Sequence, residues 1–263
     1  MTRAARWFDR LGKLLPAPMP RDGRDELLDG GEHDPAELAA NFRDIERVNA
    51  LLGGTRTVLR HLSPLLGEVP AGQPARILDL ATGSADIPLA IVRRARRDGQ
   101  PVQVVASDID EKILALARAA TDGVPEITVA RYDARSVPEP DGAFDVVVCS
   151  LALHHLAPDD AVAVLREMQR LSRSGFILND LRRGRLGYAA AWVASRATSR
   201  NRLTRNDAPL SVRRAYTVPE LRELLRRAGV DDSSATISRH PWFRMAAVGR
   251  GSGMTTGTTD GLD

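Results

Sequence analysis

Residues 76–91, RILDLATGSADIPLAI, constrain this chain more than any other stretch. A short apolar run, Ile77, Leu78 and Leu80, gives way to small residues from Ala81 to Ala85, and a helical pattern follows. The order is strand, tight turn, helix, with nothing bulky where the turn passes close to a ligand. Two acids bracket the turn, Asp79 where the strand ends and Asp86 where the helix begins. The free N–H groups of a helix N-terminus ordinarily attract a diphosphate, but a carboxylate on either side repels one. A nucleoside ligand that carries positive charge fits this turn better.

S-adenosylmethionine has those features: an adenosine, a sulfonium, an ammonium, and a carboxylate for the free amides. The segment Asp79-Leu80-Ala81-Thr82-Gly83-Ser84-Ala85-Asp86 resembles the first motif of class I S-adenosylmethionine-dependent methyltransferases, D-x-G-x-G-x-G, with alanine at the first and third glycine positions. Alanine at the first is familiar in the ubiquinone/menaquinone C-methyltransferase type. The stretch RNDAPLSVRRAYTVPEL resembles methyltransferases associated with bacterial phenolic polyketides. The resemblance covers roughly residues 70–250. It implies an α/β fold with a Rossmann-like seven-stranded sheet, mostly parallel with an antiparallel last strand, plus an N-terminal helical cap and a helical lid insertion. It also implies S-adenosyl-L-methionine as cofactor, held at Asp79, Ala81, Thr82, Gly83, Ser84 and Asp86.

Later segments extend that reading. Residues 102–109 form a β-branched run ending Ser107-Asp108-Ile109. At the end of a second strand, Asp108 can accept both ribose hydroxyls; the alternative is that it caps the helix beginning at Asp110, and the position one βα unit after the turn favours the ribose role. Residues 126–132 read as a third strand, and the resemblance places the following Asp133-Ala134 beside the adenine, the alternative being a solvated loop acid. The fourth strand, 144–150, is apolar enough to be buried on both faces, so Cys149 reads as inert core. It runs through Ser150, also assigned to the cofactor, into Leu151-Ala152-Leu153-His154-His155-Leu156. This segment lacks the N/D-P-P-Y/F sequence of enzymes that methylate base amino groups. Its histidine pair suits a general base for a phenol or enol. His155 is the candidate base, and His154 either shares that role or orients the loop.

Asn179-Asp180 follows a fifth strand predicted over 175–179, at the edge where open α/β sheets bind ligands. Residues 181–216 look inserted: an apolar helix over 188–197 carries Trp192 and Val193, and nine arginines between 182 and 214 face one acid, Asp207. This is either a solvated basic helix pair or a lid, and the lid reading makes Asn179, Asp180, Trp192 and Tyr216 candidate acceptor contacts. Its arginines suit an anionic or carrier-bound acceptor. A capping box at 217–220 opens a further helix, and β-rich runs over 234–239 and 244–248 close the domain as an antiparallel pair.

The expected organisation is an N-terminal amphipathic helix and linker over 1–33, a methyltransferase domain over 34–250 with a cap at 34–70 and the lid at 181–216, and a disordered tail over 251–263. The helix over 1–15 either docks on its own domain or makes peripheral membrane contact. In the cap, Asp34-Pro35-Ala36-Glu37 starts a helix that buries Leu38, Phe42, Ile45, either Asn49 or Val48, and Leu52. One cysteine, no 18-residue apolar run and no secretory h-region point to the cytoplasm. No metal is expected, because the five histidines and the acids lack ligand spacing. The functional expectation is methyl transfer to oxygen or carbon of a small phenolic or quinone-like acceptor. An RNA or protein methyltransferase using the arginine-rich insertion is the alternative, weakened by the absence of an appended RNA-binding module and by few aromatics for stacking bases. A nicotinamide oxidoreductase conflicts with the missing third glycine, the paired acids and the terminal hairpin. The acceptor's identity and the oligomeric state are left open.

Overall fold

A computed structural model describes residues 19–30, 32–70 and 72–251. The helix expected over 1–15 and residues 252–263 of the expected tail lie outside them. After a 3₁₀ turn at Leu27–Asp29, helices α1 (Pro35–Leu51) and α2 (Gly54–Leu66) precede the first strand. There follow β1 (Ala75–Leu80), α3 (Asp86–Asp98), β2 (Val102–Asp108), α4 (Glu111–Thr121), β3 (Ile127–Arg131) and β4 (Phe144–Ser150). A second 3₁₀ turn, Leu153–His155, leads to α5 (Pro158–Leu171) and β5 (Ser172–Leu181). Two helices, α6 (Arg185–Thr198) and α7 (Arg202–Arg214), separate β5 from α8 (Val218–Ala228), β6 (Ala235–His240) and β7 (Arg244–Arg250).

The seven strands form one sheet in the order β3-β2-β1-β4-β5-β7-β6. The first five are parallel, and β7 runs antiparallel to both neighbours. Local chemistry sets the helix ends. The Asp34 carboxylate accepts from the N–H groups of Ala36 and Glu37 ahead of Pro35, and Thr217 and Glu220 close a reciprocal box at α8, which ends at left-handed Gly229. In α1 the buried residues are Leu38, Asn41, Phe42 and Asn49. Val48 is exposed, and Ile45 and Leu52 are only half-buried, because the helix turns the Asn49 amide inward to Arg244 and Asp86.

The strands at the sheet's centre are covered on both faces. On one, Leu78, Val147, Cys149 and Leu178 pack with Leu165, Met168 and Leu171 of α5 and Leu221 and Leu224 of α8. On the other, Ile77, Val146, Val148 and Ile177 pack with Val58 and Leu62 of α2 and Ile87 and Ile91 of α3. β5 is longer than its sequence pattern predicts: at its start Ser172 pairs with Phe144 of β4, and β7 supplies an antiparallel ladder from Gly175 to Leu181. That ladder needs a glycine. A Cβ at Gly249 would overlap the Phe176 ring on the paired strand.

Gly249→Ala should lower the unfolding free energy in urea by about 1–3 kcal/mol, the cost of overpacking. The loss should shrink in a Phe176→Leu background, since the two sites share one contact.

Candidate active site

The turn after β1 is built from left-handed backbone. Ala81, Gly83 and Ala85 have φ of 54°, 59° and 63°, so all three glycine positions of the motif need this conformation, and two hold alanine at about 1–2 kcal/mol each. A Cβ on Gly83 would lie 2.9 Å from Phe42 Cε1, so α1 lays an aromatic ring directly over the turn. Thr82 donates its N–H to the Ser107 carbonyl at 2.8 Å, tying the turn to β2. Asp108, at the end of β2, accepts the Gly83 N–H on Oδ2 (3.3 Å) and the Asp110 N–H on Oδ1 (3.2 Å). Capping of α4 falls to Asp110, whose carboxylate accepts the Lys112 N–H, which leaves Asp108 facing the turn.

Asp86 and Asp108 sit close enough to Asp79 to raise its cost of ionisation. Asp79 is 2% exposed; burial, with lesser contributions from the charges of Asp86 and Asp108, pushes its carboxyl up to about 8. Burial likewise raises Asp86 and Asp108. Asp79 Oδ1 and Thr82 Oγ1 are buried without hydrogen-bond partners. A cation would relieve both the missing contacts and the suppressed ionisation, so these residues fit an adenosyl ligand bearing a sulfonium and an ammonium.

The polar edge continues along the sheet. Ser150 pairs with Asn179, whose Nδ2 donates to the Ser150 hydroxyl at 2.8 Å while its Oδ1 stays buried and unpartnered. Beyond it, at the start of β7, Arg244 is 1% exposed. Its Nη2 donates to Asn49 Oδ1 at 3.1 Å, and Asn49 Nδ2 donates to Asp86 Oδ2 at 3.0 Å. One amide of α1 thus bridges a buried guanidinium and a carboxylate, which is why Asn49 rather than Val48 turns inward. Arg244 Nε and Nη1 remain without partners, and burial lowers the guanidinium to about 10. Sequence reasoning missed Arg244 and Asn49, as neither lies in a motif. A cleft of about 900 Å³ between α1, α2 and α3 borders Asp86, but Asp79 and Asp108 are not in its walls.

The two histidines form a separate polar knot on the 3₁₀ turn after β4. His154 is buried, with Nδ1 2.7 Å from Asp180 Oδ1 and its backbone N–H on Asp180 Oδ2 at 3.0 Å. His155 Nδ1 lies 2.7 Å from Asp29 Oδ1. Both Nε2 atoms turn toward Glu26, at 3.7 and 3.8 Å. Burial opposes charge on His155, but Glu26 and Asp29 outweigh it and raise the imidazole to about 9. It therefore holds its proton at neutral pH, where the expected base would have to be free of it. The expectation that no histidines and acids gather like metal ligands also needs correcting. Glu26 comes from the segment ahead of the domain and reaches the pair only through folding.

The remaining expected residues are spread more widely. Ser84 is buried in the turn and Ile109 is exposed beyond β2. The Asp133 carboxylate is gripped by Arg135 at 2.7 Å, which also reaches Asp160, while Ala134 packs against the core. Trp192 is exposed on α6 beneath the Arg196 guanidinium. Tyr216 is buried and donates its hydroxyl to the Leu156 carbonyl at 2.8 Å, so its chemistry is committed to structure. Two of the insertion's arginines also turn inward: Arg214 donates to the carbonyls of His154 and His155, and Arg183 to those of Met19 and Ala215. Asp207 accepts the N–H groups of Leu27 and Leu28. The insertion's buried charges thus bind residues 19–29 of this chain.

Comparison with known proteins agrees with this geometry. Residues 77–175 match the family model described as a methyltransferase domain. A demethylmenaquinone methyltransferase of Thermus thermophilus is 38% identical over 104 residues, 39% of this chain and 44% of that protein. The Shewanella frigidimarina ubiquinone/menaquinone biosynthesis C-methyltransferase UbiE is 30% identical over 112 residues, 41% of this chain and 43% of that protein. The chain thus aligns with less than half the length of these curated relatives. Among solved structures, an S-adenosylmethionine-dependent methyltransferase from Aquifex aeolicus superposes with a TM-score of 0.56 at 15% identity, over 83% of this chain and 98% of that one. The citrinin polyketide synthase CMeT domain superposes at 0.54 and 14% identity, over 72% and 50%. Motif, sheet order and family match converge: residues 77–175 resemble a methyltransferase domain, and the chain has the class I S-adenosylmethionine-dependent methyltransferase fold.

Proposed function

We propose that this protein transfers a methyl group from S-adenosyl-L-methionine to an oxygen or carbon of a small, anionic, phenolic or quinone-like acceptor. The observation that carries this reading is the row of buried polar atoms without partners, Asp79 Oδ1, Thr82 Oγ1, Asn179 Oδ1 and Arg244 Nε and Nη1, along the ligand-binding edge of the sheet. Folded proteins leave few such atoms unsatisfied, and a row of them marks surface made for a ligand. The acidic end takes the cationic donor and the guanidinium end the anionic acceptor.

Bound there, the cofactor supplies a methyl group made electrophilic by its sulfonium. The chain's own residues do the rest. Asp108 accepts from the donor's ribose hydroxyls, Asp79 and Thr82 meet its positive charge, and the left-handed turn lets its adenosyl part approach the backbone. Phe42 roofs the turn and excludes water. Arg244 stabilises the acceptor as an oxyanion, the form that attacks, and Asn179 with Ser150 fixes its direction, so that alignment supplies part of the rate. The relatives named for quinone methylation support a small aromatic acceptor. The inward commitment of Arg183 and Arg214 weakens the RNA or protein alternative by removing charge from the insertion's surface. No helix among the described residues is long and apolar enough to cross a membrane, and the single thiol, Cys149, is buried, which suits the cytoplasm where we place the protein.

Calorimetric titration with the donor should show Asp108→Ala weakening it by roughly 10-fold or more, the loss of hydrogen bonds to a charged acceptor. Asp133→Ala should matter less, and unchanged affinity in Asp108→Ala would remove the ribose assignment. Arg244→Gln should raise the acceptor KM and lower kcat while leaving donor affinity within about threefold. A selective loss of donor binding instead would move the guanidinium to the cofactor.

The sign of the Asp79 contribution is fixed by its raised pKa. The native state keeps a proton that the unfolded chain releases near pH 3.8, so this contribution to stability is present below that pH and is lost as pH rises through about 8. Urea unfolding from pH 4 to 8 should therefore show Asp79→Asn gaining on the wild type as pH rises. Donor binding should tighten over the same window in the wild type only.

A further inference from the structure

Glu26, His154 and His155 place ligand atoms within 4.8 Å of one another, and no step of the proposed reaction uses them together. The arrangement is unusual for a salt-bridge network. Each imidazole gives its Nδ1 to a different carboxylate, Asp180 or Asp29, at 2.7 Å. That fixes both rings, stacked at 4.4 Å with a 36° tilt, so that their Nε2 atoms face a common point. On the far side of that point stands Glu26, 4% exposed. Its two oxygens lie 3.7 Å from His154 Nε2 and 3.8 Å from His155 Nε2. These separations are too long for hydrogen bonds, and Glu26 Oε1 is buried with no partner at all. Leaving a buried carboxylate oxygen unsatisfied is costly, and nothing else in the fold requires it.

We propose that this cluster is a binding site for a divalent transition-metal ion of the zinc type, with His154 Nε2, His155 Nε2 and a Glu26 oxygen as ligands. Zinc binds nitrogen and carboxylate oxygen at about 2.0–2.2 Å, which sets tetrahedral ligand atoms about 3.4 Å apart. The two Glu26–imidazole separations exceed that by a few tenths of an ångström, and all the ligand atoms lie within 4.8 Å of one another. Two histidines and one glutamate, with a fourth position for water or an oxygen ligand, form a set that zinc uses in catalytic sites. The Asp180 and Asp29 contacts are the outer shell such a site needs: a carboxylate on each Nδ1–H holds the tautomer and makes Nε2 a better ligand. Nitrogen with oxygen, and no thiolate, favours zinc or cobalt over calcium or magnesium.

The ion would have a structural consequence independent of methyl transfer. Glu26 belongs to the segment held down by Asp207, Arg183 and Arg214, and the histidines sit at the end of β4. One ion would therefore lock that segment onto the ligand-binding edge.

Full-length protein treated with EDTA and dialysed should take up about one equivalent of Zn²⁺ in calorimetry, and Co²⁺ should give a visible absorption band of a nitrogen-coordinated, low-symmetry site. Glu26→Gln and His155→Gln should each abolish the band and the saturable heat. Asp29→Asn, which leaves all three ligands in place, should weaken binding by about 10–100-fold. Circular dichroism identifies any variant that fails to fold, and the remaining variants then decide. No saturable Zn²⁺ or Co²⁺ binding in protein that still binds the methyl donor would overturn the metal site and leave the proposed function standing. Equal binding by the folded Glu26→Gln and His155→Gln proteins would overturn it too, by placing the ion elsewhere. Metal uptake without donor binding would count against the methyltransferase reading alone.

Discussion

A parallel sheet buried on both faces can carry polar side chains only where its strands end. Every central strand here obeys that constraint. Val146, Val147 and Val148 fill the interior of β4 and Ser150 ends it; Ile77 and Leu78 fill β1, and Asp79 lies one residue from its end. The chemistry of the molecule is therefore pressed to one edge, where Asp79, Asp108, Ser150, Asn179 and Asp180 stand side by side. The same burial that drives the core together makes these groups expensive to leave unpaired, and the energy is recovered in a ligand's contacts or in the bonds that pin covering segments over the edge.

Two such coverings meet at the site. Helix α1 lays Phe42 over the turn and sends Asn49 between Arg244 and Asp86. The segment over 19–30 crosses the other side, fastened by Arg183, Arg214 and Asp207, and delivers Glu26 and Asp29 to the histidines. The arginine-rich insertion thus has an inner and an outer population. Arg183 and Arg214 hold backbone carbonyls of their own chain, while Arg196 and Arg202 remain exposed on its helices. Charge read from composition alone cannot make that distinction, because it depends on which helix face meets the domain.

Legibility follows sequence separation. The turn, the strand ends at Asp108 and Ser150, the capping boxes and the closing antiparallel pair are all local patterns, with apolar period, small residues and caps lying within a few positions of one another. They could be read before any coordinates. Element ends were less legible where a neighbour decides them: β5 runs to Leu181 because β7 pairs with it. Tyr216 has the composition of a substrate contact, yet packing gives its hydroxyl to Leu156.

The sequence by itself determined the α/β class, a mostly parallel sheet closed by an antiparallel pair, and an acidic turn matched to a cationic nucleoside, since each is written in the periodicity, size and charge of neighbouring residues. Only the tertiary structure decided that Arg244 lies buried with unpartnered N–H groups, that Asn49 bridges it to Asp86, and that Glu26 meets both histidines. Those meetings depend on how distant segments pack across the sheet edge, and a side chain's partners there are set by contact rather than by position along the chain.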